Sequence, residues 1–177
     1  TFLEDVLEEV IELFPSKYIH IGGDEAPKYH WENCSKCQKR IIDNNLKDEH
    51  QLQSYFIKRI SNFLKTKNKR LIGWDEIIEG GIPNNSIIQS WRGMEGGIIA
   101  AKNQNQAIMS PTSHCYFDYD LDAINLEKVY SFEPIPQQLT QSESKFIIGG
   151  ECNMWSERAP QELIDSKVFP RILAMSE

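Results

Sequence analysis

An α/β fold built on a parallel sheet is what this chain of 177 residues predicts, on three observations. Five short apolar runs recur along it, bounded by glycine or polar residues, as short buried strands are. Between them lie stretches of helical apolar spacing or long connections, and parallel strands need crossovers of that length. Each run ends in Trp, Tyr, Asp or Glu. A parallel sheet gathers all its C-terminal ends on one face, so these residues are expected to converge on one site.

Residues 2–13 set Phe2, Leu3, Val6, Leu7, Val10 and Ile11 at helical spacing, with Glu and Asp on the other face. Phe14-Pro15-Ser16 ends that helix. A strand follows through Ile19 and Ile21 and stops at Gly22-Gly23, where glycine permits a sharp turn. Asp24 and Glu25 come directly after the turn, and Pro27 prevents simple continuation. His20, inside this apolar strand, is expected to be a satisfied core residue. A polar loop is expected through Lys39. Leu52, Phe56, Ile60, Phe63 and Leu64 then mark a second amphipathic helix, with Glu49, Lys58 and Arg59 on its polar face. The remaining strands are expected over 70–76, 86–91, 106–111 and 146–150, with a helix over 93–102 and another beginning at Pro170.

Composition narrows the function. Hydrophobic residues make up 40% and charged residues 25%, ordinary values for a globular chain with a real core. A net charge of −7 argues against a general nucleic-acid or anionic-membrane surface. No apolar run has the length of a membrane span, and a helix pattern rather than a leader opens the chain, which is therefore expected to be an excised piece. Neither a phosphate-cradling glycine motif nor a GxSxG elbow occurs. Cys34-x-x-Cys37 offers half a zinc site, a redox pair or a local disulfide, with His30 and His50 flanking it. There is no second CxxC, and Cys115 and Cys152 lie far off, so a structural pair on a loop is expected, and no metal.

The strand ends carry the chemistry. Trp74, Trp91 and Trp155 stand there with Tyr116-x-Asp118 and Trp155-x-Glu157. An isolated Trp after a strand is core packing, but this accumulation is what a sugar site needs. Aromatic rings cover the apolar faces of a pyranose, and carboxylates accept hydrogen bonds from its hydroxyls. Cleaving a glycosidic bond also needs a proton donor and a stabiliser for an oxocarbenium-like centre. Such a donor must be shifted toward the working pH by desolvation or a neighbouring negative charge, and Glu25 beside Asp24 in an aromatic pocket would meet both conditions. Adjacent residues of a regular strand face opposite sides, so both can reach one site only because the chain leaves strand geometry at Gly22-Gly23.

These residues resemble, in order and spacing, the catalytic domain of family 20 glycoside hydrolases, the β-N-acetylhexosaminidases. The resemblance is carried by His20-Ile21-Gly22-Gly23-Asp24-Glu25, Gly73-Trp74-Asp75-Glu76, Gln89-Ser90-Trp91, Tyr116-Phe117-Asp118, Gly149-Gly150-Glu151 with Trp155-Ser156-Glu157, and Phe169-Pro170-Arg171. It covers nearly the whole chain. The family's fold is a TIM (β/α)8 barrel, so the resemblance implies a partial barrel, strands four to eight with their helices, as one domain over 1–177 lacking its first three strands. It implies Glu25 as general acid and base, and Asp24 as the group holding the substrate's acetamido N–H. Tyr116 looks like the hydroxyl donor to the acetamido oxygen, which is itself the nucleophile in such enzymes. Trp74, Trp91 and Trp155 look like the walls, and Asp118 and Glu157 like acceptors for sugar hydroxyls. Asp75, Glu76 and Glu151 read as structural.

The implied activity is retaining, substrate-assisted hydrolysis of terminal β-linked N-acetylglucosamine or N-acetylgalactosamine from glycans or oligosaccharides. No metal or organic cofactor, nucleic acid or membrane-spanning segment is implied. The family's members are commonly exported, periplasmic or lysosomal. Two exposed sheet edges in a partial barrel would drive self-association and leave this chain alone inactive or weakly active. The alternatives are a non-catalytic carbohydrate-binding module, or a metal or redox domain centred on Cys34 and Cys37.

Overall fold

Each apolar run forms a strand, and each strand stops where the sequence turns to glycine or to a polar turn. In the computed structural model, which describes residues 2–177, these are β1 (Tyr18–His20), β2 (Arg70–Trp74), β3 (Ile87–Ser90), β4 (Gln106–Met109) and β5 (Ile147–Gly150). Strand order in the sheet is the order of the chain, as successive crossovers produce. Packing divides the molecule into two units, one running to Ile88 and one covering Gln89–Glu177, so the division falls within β3.

In the first unit β1 and β2 pair in parallel, with Tyr18 opposite Arg70, Ile19 opposite Leu71 and His20 opposite Ile72. Helix α1 (Phe2–Leu13) lies where its apolar spacing predicts. The expected polar loop through Lys39 holds two helices instead, α2 (Tyr29–Glu32) and α3 (Ser35–Asp43). Ile41 is the one residue of α3 that is fully buried, too sparse a stripe to register as periodicity. Helix α4 (Glu49–Thr66) starts at Asp48, whose carboxylate accepts the Gln51 N–H as an N-cap. Its buried stripe of Gln53, Ile57, Ile60 and Leu64 packs against β2 and the 3-10 turn Asp75–Ile78. Burial of each of those aliphatic side chains stabilises the unit by about 2 kcal/mol. Phe56, expected on the same face, is 43% exposed, and with Phe2, Leu52 and Trp31 it lines an apolar hollow of 680 Å³. His20 also departs from expectation. In a strand of three residues Ile19 takes the buried side, and His20 falls on the exposed one.

The second unit contains α5 (Glu95–Lys102), α6 (Thr112–Cys115), α7 (Leu126–Tyr130), α8 (Gln141–Ser144), α9 (Ile164–Val168) and α10 (Arg171–Ser176). β4 and β5 pair in parallel across a bulge, Ala107 opposite Ile147 but Ile108 opposite Gly149. α5 lies close against β4 because Gly97, Ala100 and Ala101 are small; a Cβ at Gly97 would stand 2.2 Å from the Met109 sulfur. Phe117, Ile124 and Val129 form a buried core with Tyr116, packed against Trp91, Cys152 and Met175. Helices α6 to α9 were absent from the predicted pattern because none is long enough to show a repeat. α10 begins where expected, just after Pro170.

Candidate functional site

The first unit carries the acidic pair on a turn whose backbone is fixed from three sides. Pairing with β2 continues past the end of β1, with Ile21 N–H donating to Ile72 O at 3.0 Å and Trp74 N–H to Gly22 O at 3.0 Å. That register sets the turn beside Trp74 at the end of β2. Gly22 (φ +71°) and Gly23 (φ +99°) then adopt left-handed backbone, and Glu25 does so too at φ +45°. For a glutamate this conformation stores about 1 kcal/mol of strain, of the kind held in place at functional sites. Gly23 has a second reason to be glycine, since a Cβ there would stand 2.5 Å from Ile77 Cγ2. The third support is Gln53, whose amide donates to Gly23 O at 2.7 Å and accepts from the Lys28 ammonium. Lys28 also donates to Ala26 O at 2.7 Å.

Asp24 and Glu25 are exposed at the tip of this turn. The desolvating pocket expected around Glu25 is therefore not formed by the described residues of this unit, in which Trp74 is 8% exposed. His20 supports the same region. Its Nδ1 accepts the Gly22 N–H at 3.0 Å, and its ring meets Trp74 edge-on at 4.9 Å. Asp75 and Glu76 are buried in the 3-10 turn after Trp74. Gln53, Lys28 and His20 were missed as supports for the acidic pair. The available signal for Gln53 was a lone amide on the apolar stripe of α4.

The second unit assembles Trp91, Tyr116 and Asp118. Thr112 N–H donates to Trp91 O and Ser110 N–H to Ser90 O, both at 2.9 Å, so the segments after β3 and β4 run together. Trp91 and Tyr116 stack at 6.3 Å between ring centroids with 30° between planes. An isolated parallel bridge joins Tyr116 to Asn153, through Asn153 N–H to Cys115 O at 2.7 Å and Phe117 N–H to Asn153 O at 2.8 Å. This bridge ties the segment after β5, with Trp155 and Glu157, to the one bearing Tyr116. Trp155 is 42% exposed and Glu157 exposed, whereas Asp118 is buried. Among the described residues Asp118 Oδ1 has no hydrogen-bond partner, an acceptor a ligand hydroxyl could satisfy. Buried Gln89 donates to Glu151 at 2.7 Å and to the Ser110 hydroxyl at 3.1 Å, tying β3 to the segments after β4 and β5.

The cysteines are free thiols, and Cys34-x-x-Cys37 sits at the start of α3 rather than on a loop. The Cys37 backbone N–H and thiol both hydrogen-bond the Cys34 sulfur, holding the Cys34 thiol below its ordinary range and lifting that of Cys37. Burial pushes Cys115 up to about 12 and raises Cys152. Among the described residues no group of three or more His, Cys, Asp or Glu is arranged to hold a metal ion. No helix there is long and apolar enough to cross a membrane.

Comparison with known proteins gives one family. The profile "Glycosyl hydrolase family 20, catalytic domain" matches residues 1–177. A β-hexosaminidase of Porphyromonas gingivalis is 44% identical over 189 residues, a match that covers 99% of this chain and 24% of that protein. The crystal structure of Flavobacterium johnsoniae chitobiase superposes with a TM-score of 0.88 at 33% identity, over 99% of this chain and 27% of that one. A Vibrio harveyi exo-β-N-acetylglucosaminidase, solved in complex with N-acetylglucosamine, gives a TM-score of 0.86 at 29% identity, over 99% and 30%. The chain thus spans about a quarter to a third of the length of the relatives it matches.

Proposed function

Because this chain belongs to glycosyl hydrolase family 20, we propose that it supplies the proton-transfer half of an enzyme removing terminal β-linked N-acetylhexosamine from glycans. The reading rests above all on the turn after β1. There, three left-handed residues in register with Trp74 lift Asp24 and Glu25 out of strand geometry. Both carboxylates can then approach one substrate, which a regular strand would forbid.

In this mechanism Glu25 gives its proton to the glycosidic oxygen as the bond to C1 breaks. The substrate's own acetamido oxygen attacks C1 from the opposite side and forms a cyclic oxazolinium-type intermediate. Asp24 accepts the acetamido N–H and balances the positive charge that develops. The Tyr116 hydroxyl donates to the acetamido oxygen and aligns it for attack. Glu25, now a carboxylate, takes a proton from water, and the water opens the intermediate with net retention. Trp74, Trp91 and Trp155 wall the ring and the acetamido group, while Asp118 and Glu157 accept sugar hydroxyls. Glu25 is exposed in this chain. The bound sugar and the rest of the barrel are proposed to supply the desolvation an acid needs.

In the full-length protein, Glu25→Gln is expected to remove most turnover on substrates with poor leaving groups while sparing activated ones. A near-wild-type rate on the poor leaving groups would end the acid assignment. Comparing substrates with and without the N-acetyl group tests the second half of the mechanism, since only the former carry their own nucleophile. Taken alone, the chain is proposed to self-associate through its uncovered apolar surface, which includes Phe2 at 78% exposure and Leu13 at 75%. A monodisperse monomer by light scattering would contradict that.

A further inference from the structure

Two buried cations of the second unit have no part in the proton transfer, yet both end on the segment that carries Asp118. Lys167, in α9, donates from Nζ to the backbone carbonyl of Asp118 at 2.6 Å and to that of Tyr119 at 3.2 Å. Arg171, at the start of α10, donates from Nη1 to Ile124 O at 2.8 Å and from Nη2 to Phe117 O. Its Nε donates to Lys167 O at 2.8 Å, so the two cations are linked through the backbone. The guanidinium lies over the Phe117 ring, 4.6 Å from its centroid, and Arg171 is 1% exposed.

Burying a lysine and an arginine is costly, and apolar residues filling the same volume are often neutral or stabilising by comparison. What apolar residues could not do is hold three consecutive carbonyls. Those of Phe117, Asp118 and Tyr119 all accept from Lys167 or Arg171. Fixing the peptide planes on both sides of Asp118 fixes its backbone dihedrals and hence the direction in which its Cα–Cβ bond leaves the chain. That side chain is 3% exposed and keeps Oδ1 without a hydrogen-bond partner among the described residues. With the backbone held, only rotation about χ1 and χ2 is left to the carboxylate, and close packing around a buried side chain restricts both. Arg171 also interacts electrostatically with Asp118.

We infer that Lys167 and Arg171 are positioning residues that aim the Asp118 carboxylate at a sugar hydroxyl. The inference rests on the function proposed above, in which Asp118 is such an acceptor, and it adds a device that no strand-end motif contains. Its test is a double-mutant cycle in the full-length protein, with steady-state kinetics on an aryl N-acetylhexosaminide and thermal unfolding measured together. Lys167→Met is expected to lower kcat/KM about tenfold, mainly through KM, with Lys167→Arg recovering most of it. In an Asp118→Ala background the same Lys167→Met change should cost less than about twofold, because the group it aims is already gone. An equal loss in both backgrounds, or no loss in either, would overturn the inference and leave both cations as scaffold. Should Lys167→Met fail to fold, Arg171→Lys, which keeps the charge and loses the fork, runs the same cycle. A wild-type protein that turns over no N-acetylhexosaminide would instead sink the proposed function, and the inference with it.

Discussion

The two units hold their candidate carboxylates in opposite ways. Asp24 and Glu25 stand exposed on a turn with left-handed residues at 22, 23 and 25, held by hydrogen bonds from the side chains of Gln53 and Lys28 and to that of His20. Asp118 is buried, and its backbone is gripped by Lys167, next to Arg171. The contrast follows from the chemistry proposed for each. A group that exchanges protons with a leaving oxygen and then with water must stay reachable. A group that only accepts a hydroxyl gains from being dry and aimed, because a hydrogen bond in a low-dielectric setting discriminates more strongly. Left-handed backbone torsions restrict the first case only, while hydrogen bonds from cations, Lys28 in the first and Lys167 and Arg171 in the second, serve both.

The comparison can be broken most directly by substituting its two ends. Glu25→Gln is expected to lower kcat on an alkyl N-acetylhexosaminide by about 10²–10⁴-fold, with KM and melting temperature nearly unchanged. Arg171→Met should weigh on stability instead, lowering it by about 3 kcal/mol as buried carbonyls lose their donor, and on KM rather than kcat, which thermal unfolding and steady-state kinetics of the intact protein would register. If the two substitutions shifted activity and stability in the same proportion, the division of labour would be wrong. Gly23→Ala sharpens the picture of the first half. A Cβ 2.5 Å from Ile77 at φ +99° should cost about 1–3 kcal/mol and displace Glu25, so both stability and kcat should fall together.

The thiols provide the mildest probe. Cys34 is held below its ordinary range, so its reactive thiolate is present at lower pH, whereas Cys115 is pushed up to about 12 and stays protonated through neutral pH. Iodoacetamide at pH 8 should therefore label Cys34 well before Cys115, as peptide mass mapping over time would reveal. Equal labelling rates would mean that the second unit opens far more readily than its packing implies.

The strands and the long helices were legible because they carry repeats. Phe2, Val6 and Val10 mark α1, and Ile87-Ile88 mark β3, in patterns that tertiary contacts did not need to rescue. α3 was not legible, since a polar helix resting on the single buried residue Ile41 leaves almost no periodic trace. His20 was misplaced for a different reason. A strand of three residues has two faces, and nothing local says which of them Ile19 will take. The place of the candidate residues at strand ends was readable, but their exposure was not. Glu25 and Asp118 look alike in the chain and differ entirely in burial.

From sequence alone came the alternation of strand and helix, the family, and the identity of the carboxylates and aromatic residues at the strand ends. These depend on local spacing and residue chemistry, which a linear chain displays in full. Tertiary structure alone decided that Gln53 would reach Gly23 across 30 positions and that Lys167 would reach Asp118 across 49. Such pairings arise when distant segments bury one another and their polar groups must find partners, and no local pattern records which partner each one finds.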